Sequence, residues 1–115
     1  MKQSLQTFFK PKSIAVVGAS KNPTKIGHAS LKNILISDYP CKLYPVNPNE
    51  DTILGLPCYK TVTDIPGPLD LVMIAVPAPL VLQIIQDCVK KKVKWIIVIT
   101  SGFSEVGEHE LEKEI

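Results

Sequence analysis

The sequence predicts an α/β domain, a mostly parallel, doubly wound sheet with helices on both faces, and three observations carry that prediction. Short β-branched runs, apolar on both faces, recur along the chain, as strands covered on both sides require. Segments with helical spacing of apolar residues lie between them. Strand and helix alternate with a period of roughly 30 residues, the signature of strand–helix–strand units.

Taken in order, Ser13–Val17 is the first strand, and Ile26, Ala29, Leu31, Ile34 and Leu35 then fall roughly on one helical face. Lys42–Val46 is a weaker strand. Positions 47–68 are rich in Pro, Gly, Asn, Asp and Thr and read as loop, with one short strand at Pro57–Lys60. Leu69–Val76 is the third main strand. Val81, Ile84, Ile85, Cys88 and Val89 form the apolar stripe of a second helix, with Pro79 in its first turn, where proline is tolerated. Lys90, Lys91 and Lys92 lie at that helix's C-terminal end, where cations suit the dipole, and read as a solvated terminus rather than an anion patch. Trp95–Thr100 is the last strand. This alternation makes the domain Rossmann-like. Glu108–Ile115 opens a helix that stops almost at once, so the chain reads as C-terminally truncated, a fragment of a longer multidomain protein. A missing strand beside Trp95–Thr100 would leave an apolar edge that invites association into a homo-oligomer.

Composition narrows the function classes. A chain of 115 residues allows one domain, and Leu, Ile, Val and Phe supply a third of it, enough for a packed core. The longest apolar runs, Leu71–Val76 and Trp95–Ile99, fall far short of the roughly 20 residues that span a bilayer. The first nine residues lack the continuous apolar core of a signal peptide. A net charge of +2 is too small to imply nucleic acid. Cys41, Cys58 and Cys88 are odd in number, scattered and without a CxxC pair, which points to reduced thiols in a cytoplasm and away from disulfides or zinc.

Open parallel sheets bind ligands beyond the carboxyl ends of their strands, so the four strand exits are the segments that matter. The first runs from Gly18 to Gly27. Gly18 lets the chain turn out of the strand, Gly27 lets helix and sheet approach closely, and free N–H groups near Thr24–Ile26 are expected to face an anion such as a phosphate. Lys21 and Lys25 add positive charge. The dinucleotide fingerprint GxGxxG is absent, since Ser20 and Pro23 stand where its later glycines belong, and the second exit, Tyr44-Pro45-Val46-Asn47-Pro48, lacks the ribose-binding acid. An ordinary NAD site is therefore disfavoured. The third exit, Ala75-Val76-Pro77-Ala78-Pro79, is a stiff ledge that can pack against a base or an aliphatic arm at little ordering cost. The fourth, Thr100-Ser101-Gly102-Phe103-Ser104-Glu105, offers hydroxyls, a glycine and an aromatic ring.

Catalytic and metal-ligating constellations do not emerge. His28 and His109 have no assignable Cys or Ser partner, Cys88 sits on an apolar helix face, and Cys41 and Cys58 show no activating cations. The glutamates from Glu105 to Glu114 read as a solvated helix face.

Taken together and in order, Phe9–Ser20, Tyr44–Pro48, Gly55–Tyr59, Ala75–Ala78 and Thr100–Glu105 resemble the N-terminal CoA-binding domain of NDP-forming acyl-CoA synthetases. That family includes the ADP-forming acetyl-CoA synthetase and, more distantly, the succinyl-CoA synthetase α subunit. The resemblance runs from about Leu5 onward and makes residues 1–115 one CoA-binding domain. It implies a CoA site built from Gly18, Ser20, Lys25, Ile26 and Gly27 of the first loop, the Asn47-Pro48 turn, the Pro77-Ala78 ledge and the Ser101-Gly102-Phe103 turn.

The implied reaction interconverts acyl-CoA, ADP and phosphate with the free acid, CoA and ATP. Its implied partners are a downstream phosphohistidine domain and an ATP-grasp domain or β subunit, with no catalytic residue in this chain. Many members carry a lysine just after the Asn-Pro turn, placed for a CoA phosphate; here Asn49 and Glu50 follow Pro48. The competing expectations are a regulatory CoA- or NAD(H)-binding module of a protein acetyltransferase, or of a redox-sensing regulator.

Overall fold

The computed structural model describes residues 9–99. Its centre is a four-stranded sheet in the order β2-β1-β5-β6, with β1 Ser13–Val17, β2 Lys42–Val46, β5 Leu71–Ile74 and β6 Trp95–Val98. Every pairing in it is parallel, with Val17 opposite both Val46 and Ile74, so the three ladders end in register at one carboxyl edge. Strand β1 is buried along its whole length, because it lies between two strands and beneath helices on both faces.

Alternate residues of β1 serve different cores, as the two-residue period of a strand demands. Ala15 and Val17 join Val46, Val72, Ile74, Ile65 and Cys88 on one face, against helix α2 (Ala78–Lys91) and the 3₁₀ turn Val62–Asp64. Val16 joins Ala19, Leu31 and Ile53 on the other face, against helix α1 (Ile26–Ser37). Each fully buried Val, Leu or Ile contributes about 1.5–3 kcal/mol relative to exposure. The doubly wound, mostly parallel α/β architecture is thus present.

Local readings fare unevenly. In α2 the stripe Val81, Ile84, Ile85 and Cys88 packs inward, but Val89 is exposed. Pro79 is in the first turn, and Lys90 and Lys91 lie in the last. In α1 the inward face is Gly27, His28 and Leu31 with Ile34 beside them, whereas Ile26 and Leu35 are exposed. The reason is the close approach of Gly27 to the sheet, which rotates the helix onto its smallest residue.

The third strand is shorter than expected, Leu71–Ile74 rather than Leu69–Val76, because β1 offers ladder partners only as far as Val17. The loop of positions 47–68 holds a hairpin, β3 Thr52–Ile53 with β4 Leu56–Pro57, turned by Leu54 and Gly55, both at positive φ. The expected strand at Pro57–Lys60 is accordingly displaced. Tyr59 instead bridges Val46, its N–H bonded to Pro45 O at 2.9 Å. That contact covers the β2 edge, where Pro45 sits without an N–H of its own. Among the described residues no helix is long and apolar enough to cross a membrane.

Candidate functional site

The parallel sheet directs the N-termini of α1 and α2 to the carboxyl edge, beside the exits of β1, β2 and β5. At the β1 exit Gly18 adopts φ +89°, and its N–H bonds to Val46 O at 3.0 Å. A Cβ there would lie 2.2 Å from Ala75 O, so both the conformation and the space demand glycine. A Cβ on Gly27 would lie 1.9 Å from Gly18 O. The two glycines therefore press backbone on backbone and bring the start of α1 against the end of β1.

The loop between them is self-bonded. Ser20 Oγ accepts the N–H of Asn22, and Asn22 Oδ1 accepts both the N–H and the hydroxyl of Thr24, at 3.0, 3.0 and 2.8 Å. Lys25 N–H bonds to Asn22 O. The expected free donors near Thr24–Ile26 are thus shifted: Thr24 and Lys25 are spent on the loop's own turn. Among the described residues no acceptor takes the N–H of Ile26 or Gly27. Lys25, the N-cap, makes no side-chain cap, and no acid lies in the first turn. An uncapped helix start of this kind presents donors and the positive end of the dipole to an anion.

His28 is buried and its Nδ1 lies 2.8 Å from Ser20 O, so Nδ1 carries the proton that the carbonyl accepts. The imidazole holds the loop to the helix.

Asn47 ties the second exit to the first. Its Nδ2 donates to Ala19 O at 2.8 Å, and its Oδ1 accepts the N–H of Asn49 at 2.8 Å. Its amide is thereby committed to shape, and Pro48 stands exposed beside it. Across this pair of loops, Lys21 Nζ meets Glu50 Oε1 at 3.2 Å, so the glutamate that follows the Asn47-Pro48 turn is paired locally with a loop lysine. Pro77 caps α2 in an extended conformation, with Ala78 as its first helical residue.

Between the β2 exit and α2 lies a cavity of about 360 Å³. Val17, Gly18, Asn47 and Pro48 form one wall, and Leu80 and Ile84 of α2 face them. The structure brings Gly18, Asn47 and Pro48 to this cavity. Ser20, Lys25, Ile26 and Gly27 gather at the adjoining helix start instead, and Pro77 and Ala78 lie at the head of α2, beside Val76 and Leu80 of the lining. Ser101, Gly102 and Phe103 lie outside the described residues. Sequence reasoning missed Val62, Leu80 and Ile84 as lining. The available signal was Leu80, an apolar residue off the α2 core stripe and 54% exposed. Burial pushes the Cys58 and Cys41 thiols up, and the Cys88 thiol up to about 11, so none is an activated thiolate.

Comparison with known proteins follows the same outline. A family model described as CoA binding domain matches residues 12–114. An ADP-forming acetate–CoA ligase of Methanocaldococcus jannaschii is 48% identical over 91% of this chain and 15% of its own length. A solved acetyl-coenzyme A synthetase 1 of Ca. Korarchaeum cryptofilum, in complex with phosphate and ADP, is 50% identical with a TM-score of 0.86, covering 96% of this chain and 24% of that one. A conserved hypothetical protein of Pyrococcus furiosus is 38% identical with a TM-score of 0.72, and there the match covers 89% of this chain and 86% of that one. The chain thus spans 15% of the curated ligase that it matches.

Proposed function

The chain belongs to the CoA binding domain family, and on that premise we propose that it supplies the CoA site of an ADP-forming acid–CoA ligase. The observation that carries the reading is the Gly18–Gly27 contact, which seats an uncapped helix start at the end of β1. In this reading the N–H groups of Ile26 and Gly27, with Ser20 and Lys25 beside them, hold a CoA phosphate. The cavity walled by Pro48, Leu80 and Ile84 takes an apolar part of CoA, against the ledge of Pro77 and Ala78. Gly18 and Asn47 shape the site, Gly18 by leaving room for Ala75 O at the β5 exit and Asn47 by locking two exits together through its side-chain amide. The resemblance adds Ser101, Gly102 and Phe103 to the proposed CoA contacts.

The whole reaction, acyl-CoA with ADP and phosphate against acid, CoA and ATP, is assigned to domains beyond residues 1–115. Those partners are a phosphohistidine domain and an ATP-grasp domain or β subunit, in a cytoplasm where Cys41, Cys58 and Cys88 stay reduced. Ligases several times the length of this chain support that reading.

Thermal melting with CoA and with NAD at equal concentration tests the ligand choice. CoA is expected to raise the melting temperature more, through linkage of binding to folding. A larger shift with NAD would overturn the reading and favour the redox-regulator alternative.

A further inference from the structure

The amino edge of the sheet, opposite the candidate CoA site, carries the larger depression, a cleft of about 710 Å³. Four lysines from three segments converge on it: Lys10 and Lys12 ahead of β1, Lys42 at the start of β2, and Lys94 just ahead of β6. Asp70 is the one carboxylate among the described residues that line it. Both of its oxygens are committed: Oδ2 accepts the backbone N–H of Lys12 at 2.8 Å, and Oδ1 pairs with Lys94 Nζ at 3.3 Å. Among the described residues, Lys10, Lys12 and Lys42 have no carboxylate at ion-pair distance.

The cleft is pre-formed. Ser13 Oγ donates to Pro68 O at 3.0 Å and accepts the N–H of Asp70 at 2.9 Å, so its floor is a buried hydrogen-bonded knot. Pro66 and Pro68 stiffen the rim about Gly67, and the half-buried Tyr44 supplies an aromatic wall held edge-on by Tyr59, ring centroids 5.6 Å apart. Gathering like charges without an anion is unfavourable, and a bound polyanion removes that repulsion. The volume lies within the roughly 300–1,000 Å³ of small-molecule pockets, more than a single phosphate fills. A net charge of +2 over the whole chain argues against an extended nucleic acid.

We propose that this cleft is a second anion site, for a small molecule carrying two or more linked phosphates, held by Lys10, Lys12 and Lys42 with Tyr44 and the prolines as its apolar wall. The phosphoanhydride chain is the shared chemistry of a nucleoside triphosphate and of inorganic polyphosphate. The assignment does not depend on the CoA reading, which concerns the other edge.

Calorimetry on the full chain at low salt, with sodium tripolyphosphate and with ATP, tests it. Both ligands bind, and replacing Lys10, Lys12 and Lys42 together by Gln weakens tripolyphosphate by on the order of 100-fold, about fivefold per lysine. The three side chains are exposed, so the variant keeps its melting temperature, and the single Lys42→Glu change weakens binding at least as much as Lys42→Gln. Lys32→Gln with Lys90→Gln, exposed and outside both cavities, leaves tripolyphosphate unaffected. Tighter binding of ATP than of tripolyphosphate assigns the aromatic wall to a base; equal binding assigns the site to the phosphate chain alone. No binding of either at millimolar concentration, or equal affinity in the triple-Gln protein, overturns the proposal.

Discussion

The two ends of the sheet are built from the same four strands and present opposite surfaces. The carboxyl-end cavity is about half the volume of the amino-end cleft and is walled largely by apolar side chains and glycine. The amino-end cleft is the larger and gathers four lysines. Size and charge would therefore point away from the end at which the CoA site is proposed. What marks the carboxyl end is backbone geometry, two glycines in contact and two uncapped helix starts. The lesson follows from strand direction. A parallel sheet with crossover helices sends the positive helix ends to one edge and the negative ends to the other. An anion at the carboxyl edge can be held by N–H groups, whereas one at the amino edge needs side-chain cations.

The sharpest way to break that contrast is Gly18→Ala. The methyl would meet Ala75 O at 2.2 Å from a residue at φ +89°, and the combined strain is expected to cost about 2–5 kcal/mol of stability. Urea titration reads the loss, and CoA binding should fall with it because the methyl forces the β1 exit away from Ala75 at the end of β5. A stability within 0.5 kcal/mol of the parent, about the range of neutral surface changes, would mean that the close approach is dispensable.

At the other edge, Asp70→Ala removes the acceptor of Lys12 N–H and the partner of Lys94. It is expected to cost roughly 1.5–3 kcal/mol, the usual range for hydrogen bonds to a charged group. The same change should tighten tripolyphosphate, because the cleft loses its offsetting charge, and should leave CoA affinity unaltered. A matching change in CoA affinity would mean that the two edges are coupled.

The smallest expected effect lies at the mouth of the carboxyl end. Glu50→Lys both adds a cation and releases Lys21 from its 3.2 Å pair. CoA should then bind about tenfold tighter at low salt and less so at physiological ionic strength, with dephospho-CoA changed less. Equal changes for the two ligands, read by calorimetry, would place the CoA phosphate elsewhere.

Much of the architecture was legible from local pattern. The runs Ser13–Val17 and Trp95–Val98 are apolar on both faces, and Gly18 and Gly27 stand at the first exit where a turn and a close approach are needed. Other features were hidden. The apolar spacing in α1 pointed to Ile26 and Leu35, but a helix pressed down on Gly27 turns those two outward. The Leu54-Gly55 hairpin was masked because Leu54 is not a residue that ordinarily announces a positive φ. Leu80, Ile84 and Val62 read as ordinary helix and loop residues until the 3₁₀ turn and α2 close over the β2 exit.

The β-branched, apolar character of β1, the helical spacing of α2 and the positive φ at Gly18 are properties of neighbouring residues, and steric rules acting over a few positions suffice to specify them. The shape of both clefts depends instead on groups far apart in the chain. Asn47 Nδ2 reaches Ala19 O across 28 positions, Ser13 reaches Pro68 across 55, and Lys12 reaches Asp70 across 58. No local propensity encodes such contacts. They form because a buried amide, hydroxyl or carboxylate must find a partner once the sheet has excluded water, and the partner is whichever group the packed strands bring within reach.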